Sequence, residues 1–208
     1  RDKLVTGVQT CALPISEELC IVRLPLGWNG GYRDFTGPLD YLGADGGGGL
    51  GAGPGNAVGV ALALRDDAST RVPIALVGDG DFLMGCTAVW TAVRYGIPVL
   101  IVVCNNHSFF NDELHQERVA RERSRPVENR WIGQRMTEPE IDLARMSESM
   151  GALGIGPVRR AQDLLPALRE GLAAVRAGRV CVIDASVVPG YDSNMSGQTS
   201  TQSAIHKR

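Results

Sequence analysis

The sequence predicts a three-layer α/β domain: a doubly wound, mainly parallel sheet with helices on both faces. Three observations lead there. Short apolar runs alternate with amphipathic or small-residue segments along most of the chain. The runs Pro73–Val77 and Val99–Cys104 are continuously apolar, as strands covered on both faces are. Each ends in polar punctuation, Gly78-Asp79-Gly80-Asp81 and Asn105-Asn106-His107-Ser108, which is where an α/β sheet binds ligands.

Composition narrows the function. The 208 residues hold 21 Lys+Arg against 23 Asp+Glu, so no basic excess points to nucleic acid or an anionic membrane. No apolar stretch reaches the ~18 residues of a membrane span. Hydrophobic residues at 44% and charged residues at 21% fit a soluble globular domain. The 5 cysteines form no CxxC pair, and Cys104 and Cys181 lie inside apolar runs, so a reducing, cytoplasmic setting is expected. The 26 glycines, nearly double the ~7% average, cluster in loops.

The elements follow in order. Residues 1–15 are set aside, because Val5–Ile15 looks like the translation of a sequencing-library adapter. The natural protein is expected to begin well before Ser16, with one domain over residues 16–190 and a polar tail over 191–208. Leu19–Leu24 reads as a strand, Gly27–Gly49 as a loop and Asn56–Arg65 as a buried helix, with Pro54 tolerated near its first turn. Met84–Tyr95 is helical and stops at Gly96-Ile97-Pro98. Thr137 and Glu140 suggest a capping-box start for a helix ending at Gly151. Leu164, Leu165, Leu168, Leu172 and Val175 form an apolar helical stripe, and Val180–Ile183 is a last strand.

Between Gly80 and Asn105 lie 24 residues, enough for one helix and a return strand. Such a βαβ unit brings both polar ends to one sheet edge. A carboxylate beside a carboxamide suits a hard cation such as Mg²⁺, which completes its shell with phosphate oxygens and water. The expected ligand is therefore a diphosphate.

Gly78-Asp79-Gly80 followed by Asn105-Asn106 resembles the signature of thiamin-diphosphate enzymes. The stretch Gly48-Gly49-Leu50-Gly51-Ala52-Gly53-Pro54-Gly55-Asn56-Ala57-Val58-Gly59 is similar to their cofactor-facing loop and helix. The likeness runs over Ser16–Tyr191 and is greatest to the C-terminal diphosphate-binding domain of the decarboxylase and acetolactate synthase-like branch. It implies Mg²⁺ ligands from the Asp79 and Asn106 side chains and the Ser108 carbonyl. Gly78 opens the signature, and Gly80, Asp81 and Phe82 are expected to turn backbone N–H groups to the diphosphate. Leu50 stands where the family has the wedge that bends the cofactor, and the Gly48 carbonyl is expected to accept a hydrogen bond from its aminopyrimidine. The implied reaction is decarboxylation of a 2-oxo acid, or carboligation, in a homodimer or homotetramer.

Three features depart from that pattern. Asp81 stands where a small residue is usual, so its side chain must turn away or reach the metal through water. Phe109-Phe110 replaces a Tyr-Gly pair. The family's activating glutamate belongs to a separate domain and matches nothing in Ser16–Arg208, so no catalytic residue is assigned and this chain alone is expected to be inactive. Two other functions compete: a cofactor-binding regulatory module without chemistry, and a nicotinamide oxidoreductase. The GxGxxG match at Gly46–Gly51 follows a polar loop instead of a strand, against the second. His107 and His115 read as solvent-facing, Trp28, Trp90 and Trp131 as packing residues, and Glu117–Arg130 as a solvated segment.

Overall fold

The computed structural model describes residues 19–24, 35–42 and 49–190. The adapter-like segment, Trp28, Gly48 and the 191–208 tail lie outside them. Five strands, β1 (Leu19–Arg23), β2 (Val72–Gly78), β3 (Leu100–Asn105), β4 (Leu153–Val158) and β5 (Cys181–Ser186), form one sheet in the order β1-β2-β3-β5-β4. Every neighbouring pair is parallel.

Because β2 and β3 are covered on both sides, alternate residues feed two cores. On one face Ile74, Leu76, Leu100 and Val102 pack with α6 (Ala161–Arg176) through Leu164, Leu168, Leu172 and Val175. On the other, Ala75, Val77, Ile101 and Val103 meet α1 (Ala52–Asp66), α2 (Asp79–Gly85), α3 (Thr87–Arg94) and α5 (Leu143–Ser149) through Ala57, Phe82, Val89 and Leu143. These are the three layers expected. A last helix, α4 (Phe110–Glu122), adds no residue to either core.

Several boundaries differ from the sequence reading. The helix expected from Asn56 starts at Ala52, with Pro54 in its first turn. The helix expected from Met84 begins directly at Asp79, breaking at Cys86 into α2 and α3. Thr137 and Glu140 are no capping box. They bridge each other across a turn around Pro139, and α5 starts later, where the Asp142 carboxylate accepts the Arg145 N–H at 2.9 Å. Its end does fall beside Gly151, at φ +90°. Leu165 is off the α6 stripe and exposed, since it sits one residue, about 100°, from Leu164. Strand β4 was not expected: Gly154, Gly156 and Pro157 break its apolar pattern, which an edge strand tolerates.

Candidate functional site

Gly78, the last residue of β2, pairs with Cys104 near the end of β3. The segments that follow therefore leave the sheet side by side. Asp79 opens α2, and the residue is only 3% exposed. One oxygen, Oδ1, accepts the Gly80 N–H at 2.9 Å, and Oδ2 accepts the Ser108 N–H at 3.1 Å. That same Ser108 N–H also donates to Asn106 Oδ1 at 2.9 Å. A carboxylate oxygen and a carboxamide oxygen thus converge on one donor.

The kink that allows this is at His107, whose φ of +58° reverses the chain after Asn106. Asn105 builds the kink. Its Oδ1 accepts the His107 N–H at 3.1 Å, while its Nδ2 donates to Asp184 on β5 at 3.0 Å. The first asparagine is therefore committed to the scaffold, and the second presents its oxygen beside Asp79.

Electrostatics set this corner apart. Burial pushes the Asp79 carboxyl up to about 6, although N–H bonds from Gly80, Ser108 and His107 work against the rise. Among the described residues no Lys or Arg pairs with it. No three His, Cys, Asp or Glu side chains gather among those residues either, so neither a thiolate nor an imidazole-rich metal site is present there. One carboxylate, one amide oxygen and the adjoining carbonyls form an all-oxygen donor set, which fits Mg²⁺.

Asp81 turns away from the corner, the first of the two options open to it. Its Oδ1 accepts the N–H groups of Gly51 at 2.7 Å and Gly53 at 3.3 Å, tying the glycine-rich loop to α2. Glycines make this approach possible. A Cβ on Gly53 would lie 2.2 Å from Asp81 Oδ2, and one on Gly85 2.2 Å from the Gly51 carbonyl oxygen. Similarly, a Cβ on Gly80 would lie 2.2 Å from the Phe109 ring, so the phenylalanine in place of tyrosine packs over that glycine. Leu50 is 48% exposed beside the start of α1 and is not a core residue. Phe82, by contrast, buries its ring completely while its N–H belongs to the first turn of α2.

Some residues at this corner escaped the sequence reading. His107 is half-buried and close enough to act electrostatically on Asp79 and Asp184, correcting the solvent-facing expectation. His115 is exposed as expected, against Arg118. Trp90 and Trp131 are largely exposed, contrary to a packing role, and the Arg135 guanidinium lies 5.9 Å from the Trp131 ring centre. Glu113 is buried at 2% exposure and accepts hydrogen bonds from Ser108 Oγ at 2.5 Å and Arg135 Nε at 3.1 Å. Burial opposes its ionisation, but Arg135 and Ser108 outweigh that and hold the carboxyl below its usual range. A lone glutamate in a charged helix, with its arginine 22 residues away, gives no local signal.

With oxygen donors at paired strand ends and a glycine loop locked beside them, the architecture is that of an α/β cofactor-binding domain. The family described as "Thiamine pyrophosphate enzyme, C-terminal TPP binding domain" matches residues 26–185, and the chain belongs to it. The large subunit of acetolactate synthase isozyme 3 from Escherichia coli is 28% identical over 156 residues, 75% of this chain and 25% of that protein. A thiamine diphosphate-dependent 4-hydroxybenzoylformate decarboxylase from Rhodococcus jostii superposes with a TM-score of 0.66 at 27% identity, covering 85% of this chain and 30% of that one. Benzoylformate decarboxylase from Polynucleobacter necessarius shares the fold, with a TM-score of 0.68 at 22% identity over 86% of this chain and 32% of that one. The chain therefore spans about a quarter of the length of the curated relative.

Proposed function

We propose that this domain holds thiamin diphosphate through Mg²⁺, with Asp79 and Asn106 as side-chain ligands and Ser108 contributing its carbonyl. The convergence of Asp79 Oδ2 and Asn106 Oδ1 on the Ser108 N–H carries the reading, because it fixes two oxygens at one point and, among the described residues, no Lys or Arg pairs with Asp79. Gly78 ends β2 directly before α2, in extended backbone with open space where a Cβ would lie. The N–H groups of Asp81 and Phe82 in the first turn of that helix are assigned to the diphosphate, while the Gly80 N–H of the same turn donates to Asp79 Oδ1. Leu50 packs against the aminopyrimidine; Gly48, whose carbonyl was expected to accept its amine, lies outside the described residues. Asp81 supports this by tethering Gly51, the neighbour of Leu50, to α2.

The parent reaction is decarboxylation of a 2-oxo acid, or carboligation of the same kind as in the acetolactate synthase relatives. When bound, the cofactor supplies the electron sink for the carbon that loses CO₂. This chain's own residues bind and orient; among the described residues, the buried glutamate of this corner, Glu113, is committed to Ser108 and Arg135. The reading extends to a cytoplasmic homodimeric or homotetrameric parent enzyme in which another domain provides the activating glutamate, and it expects no turnover of a 2-oxo acid by this chain alone.

Calorimetric titration with thiamin diphosphate, with and without Mg²⁺, tests the site. Saturable binding that needs the metal and disappears in Asp79→Ala is expected. Metal-independent binding, or an unchanged Asp79→Ala, refutes it.

A further inference from the structure

Helix α4 has a single buried residue, and it is a glutamate. A helix normally docks through an apolar face, and burying a charge costs free energy unless partners compensate it. Here the partners are Ser108, in the turn after β3, and two arginines from the segment after α4. Glu113 Oε1 accepts both Ser108 Oγ at 2.5 Å and Arg135 Nε at 3.1 Å, while a second Arg135 nitrogen donates to Oε2 at 3.3 Å. Arg130 stands 4.0 Å from the same carboxylate and is held in turn by Glu117.

The backbone reinforces the side chains. Ser108 bridges Arg135 antiparallel, Phe109 N–H donates to the Gln134 carbonyl at 3.0 Å, and Met136 N–H donates to the His107 carbonyl at 2.8 Å. Ser108 is thus gripped on every side. Its N–H orients Asp79 and Asn106, its hydroxyl is anchored to Glu113, and its neighbours are pinned by residues 134–136.

From this we propose that Glu113 and Arg135 are positioning residues for the metal site, setting the Ser108 backbone through its hydroxyl. The inference rests on the Mg²⁺ reading of that corner. Its physical content is that a metal with a strict octahedral shell responds to small displacements of a ligand loop. Outer partners of metal ligands therefore influence affinity without touching the ion. Arg135 is largely exposed, so replacing it leaves both cores intact.

The test uses the full chain in two measurements. Amide exchange without ligand reads the loop directly: in Arg135→Gln the amides of His107–Phe109 exchange faster while those within β3 do not change. Mg²⁺ titration at fixed thiamin diphosphate reads the consequence. Half-saturation rises about tenfold in Arg135→Gln and in Ser108→Ala, the size expected for an outer partner. Arg71→Gln, which breaks an ion pair at the far end of β2, lowers the melting temperature without moving half-saturation. If Arg135→Gln leaves both exchange and half-saturation at wild-type values, the positioning role is overturned even though Asp79→Ala abolishes binding. If Asp79→Ala binds like wild type, the site reading fails instead, and the exchange result alone decides whether Arg135 holds the loop.

Discussion

At the N-terminal end of β2, Arg71 reaches across to Asp40 at 2.6 Å, and that carboxylate also accepts the N–H groups of Thr36 and Gly37, each at 2.8 Å. At the C-terminal end of the same strand, Asp79 is equally withdrawn from water but has only N–H donors. The consequences for ionisation are opposite. Hydrogen bonds from Gly37, Arg71 and Thr36 hold Asp40 well below the usual carboxylate range, whereas burial lifts Asp79 above it. One end of the strand is closed by a guanidinium, and the other, among the described residues, has no Lys or Arg partner.

The sharpest way to break this contrast is a crossed pair of substitutions. Asp79→Ala should abolish Mg²⁺-dependent cofactor binding by more than the roughly 100-fold ceiling typical of outer partners. Asp40→Ala should leave binding untouched and lower the melting temperature. Equal effects in calorimetry and thermal melts would erase the distinction between the two ends.

Acidity sharpens it next. In the folded chain Asp79 keeps its proton up to about pH 6, against 3.8 for an unperturbed aspartate. Its contribution therefore favours the metal-free fold below about pH 4 and is lost as pH rises to 6, by up to ~3 kcal/mol. Mg²⁺ must displace the same proton, so its affinity should fall about tenfold per unit below pH 6. Asp40 has the opposite sign: its contribution is present above about pH 4 and is lost as pH falls further. Denaturant midpoints of wild type, Asp79→Asn and Asp40→Asn across pH 3–8 separate the two.

A smaller effect is expected from Gly80→Ala. The new Cβ would lie 2.2 Å from the Phe109 ring and must push it aside, at about 1–3 kcal/mol. Because Phe109 adjoins Ser108, Mg²⁺ half-saturation should rise with the loss of stability. Unchanged melting and unchanged binding would show that the loop yields freely. The least effect belongs to salt: exposed pairs such as Arg160–Asp163 at 2.7 Å should contribute little and fade with ionic strength, leaving the melting temperature almost level.

What could be read beforehand divides along the same physical lines. Strands β2, β3 and β5 were legible because burial on both faces demands unbroken apolar runs. Edge strand β4 was not, because Gly154, Gly156 and Pro157 satisfy edge rules that resemble those of a loop. Asp79 and the asparagine pair were visible as punctuation at strand ends, and parallel pairing then had to place them together. The division of labour within the pair was hidden, since it depends on Asp184, 79 residues from Asn105. Asp81 was noticed as an oddity, but its partners, Gly51 and Gly53, became apparent only once the loop was folded onto α2. Thr137–Glu140 misled because the capping-box spacing also fits a tight turn bridged at its ends.

The most direct test is a crystal structure of the chain with Mg²⁺ and thiamin diphosphate. The account predicts an octahedral ion bonded at about 2.0–2.1 Å to one Asp79 oxygen, Asn106 Oδ1 and the Ser108 carbonyl, with phosphate oxygens and water completing the shell. An ion seated elsewhere, or a diphosphate bound with Asp79 and Asn106 still hydrogen-bonded to Ser108 and free of metal, would contradict it.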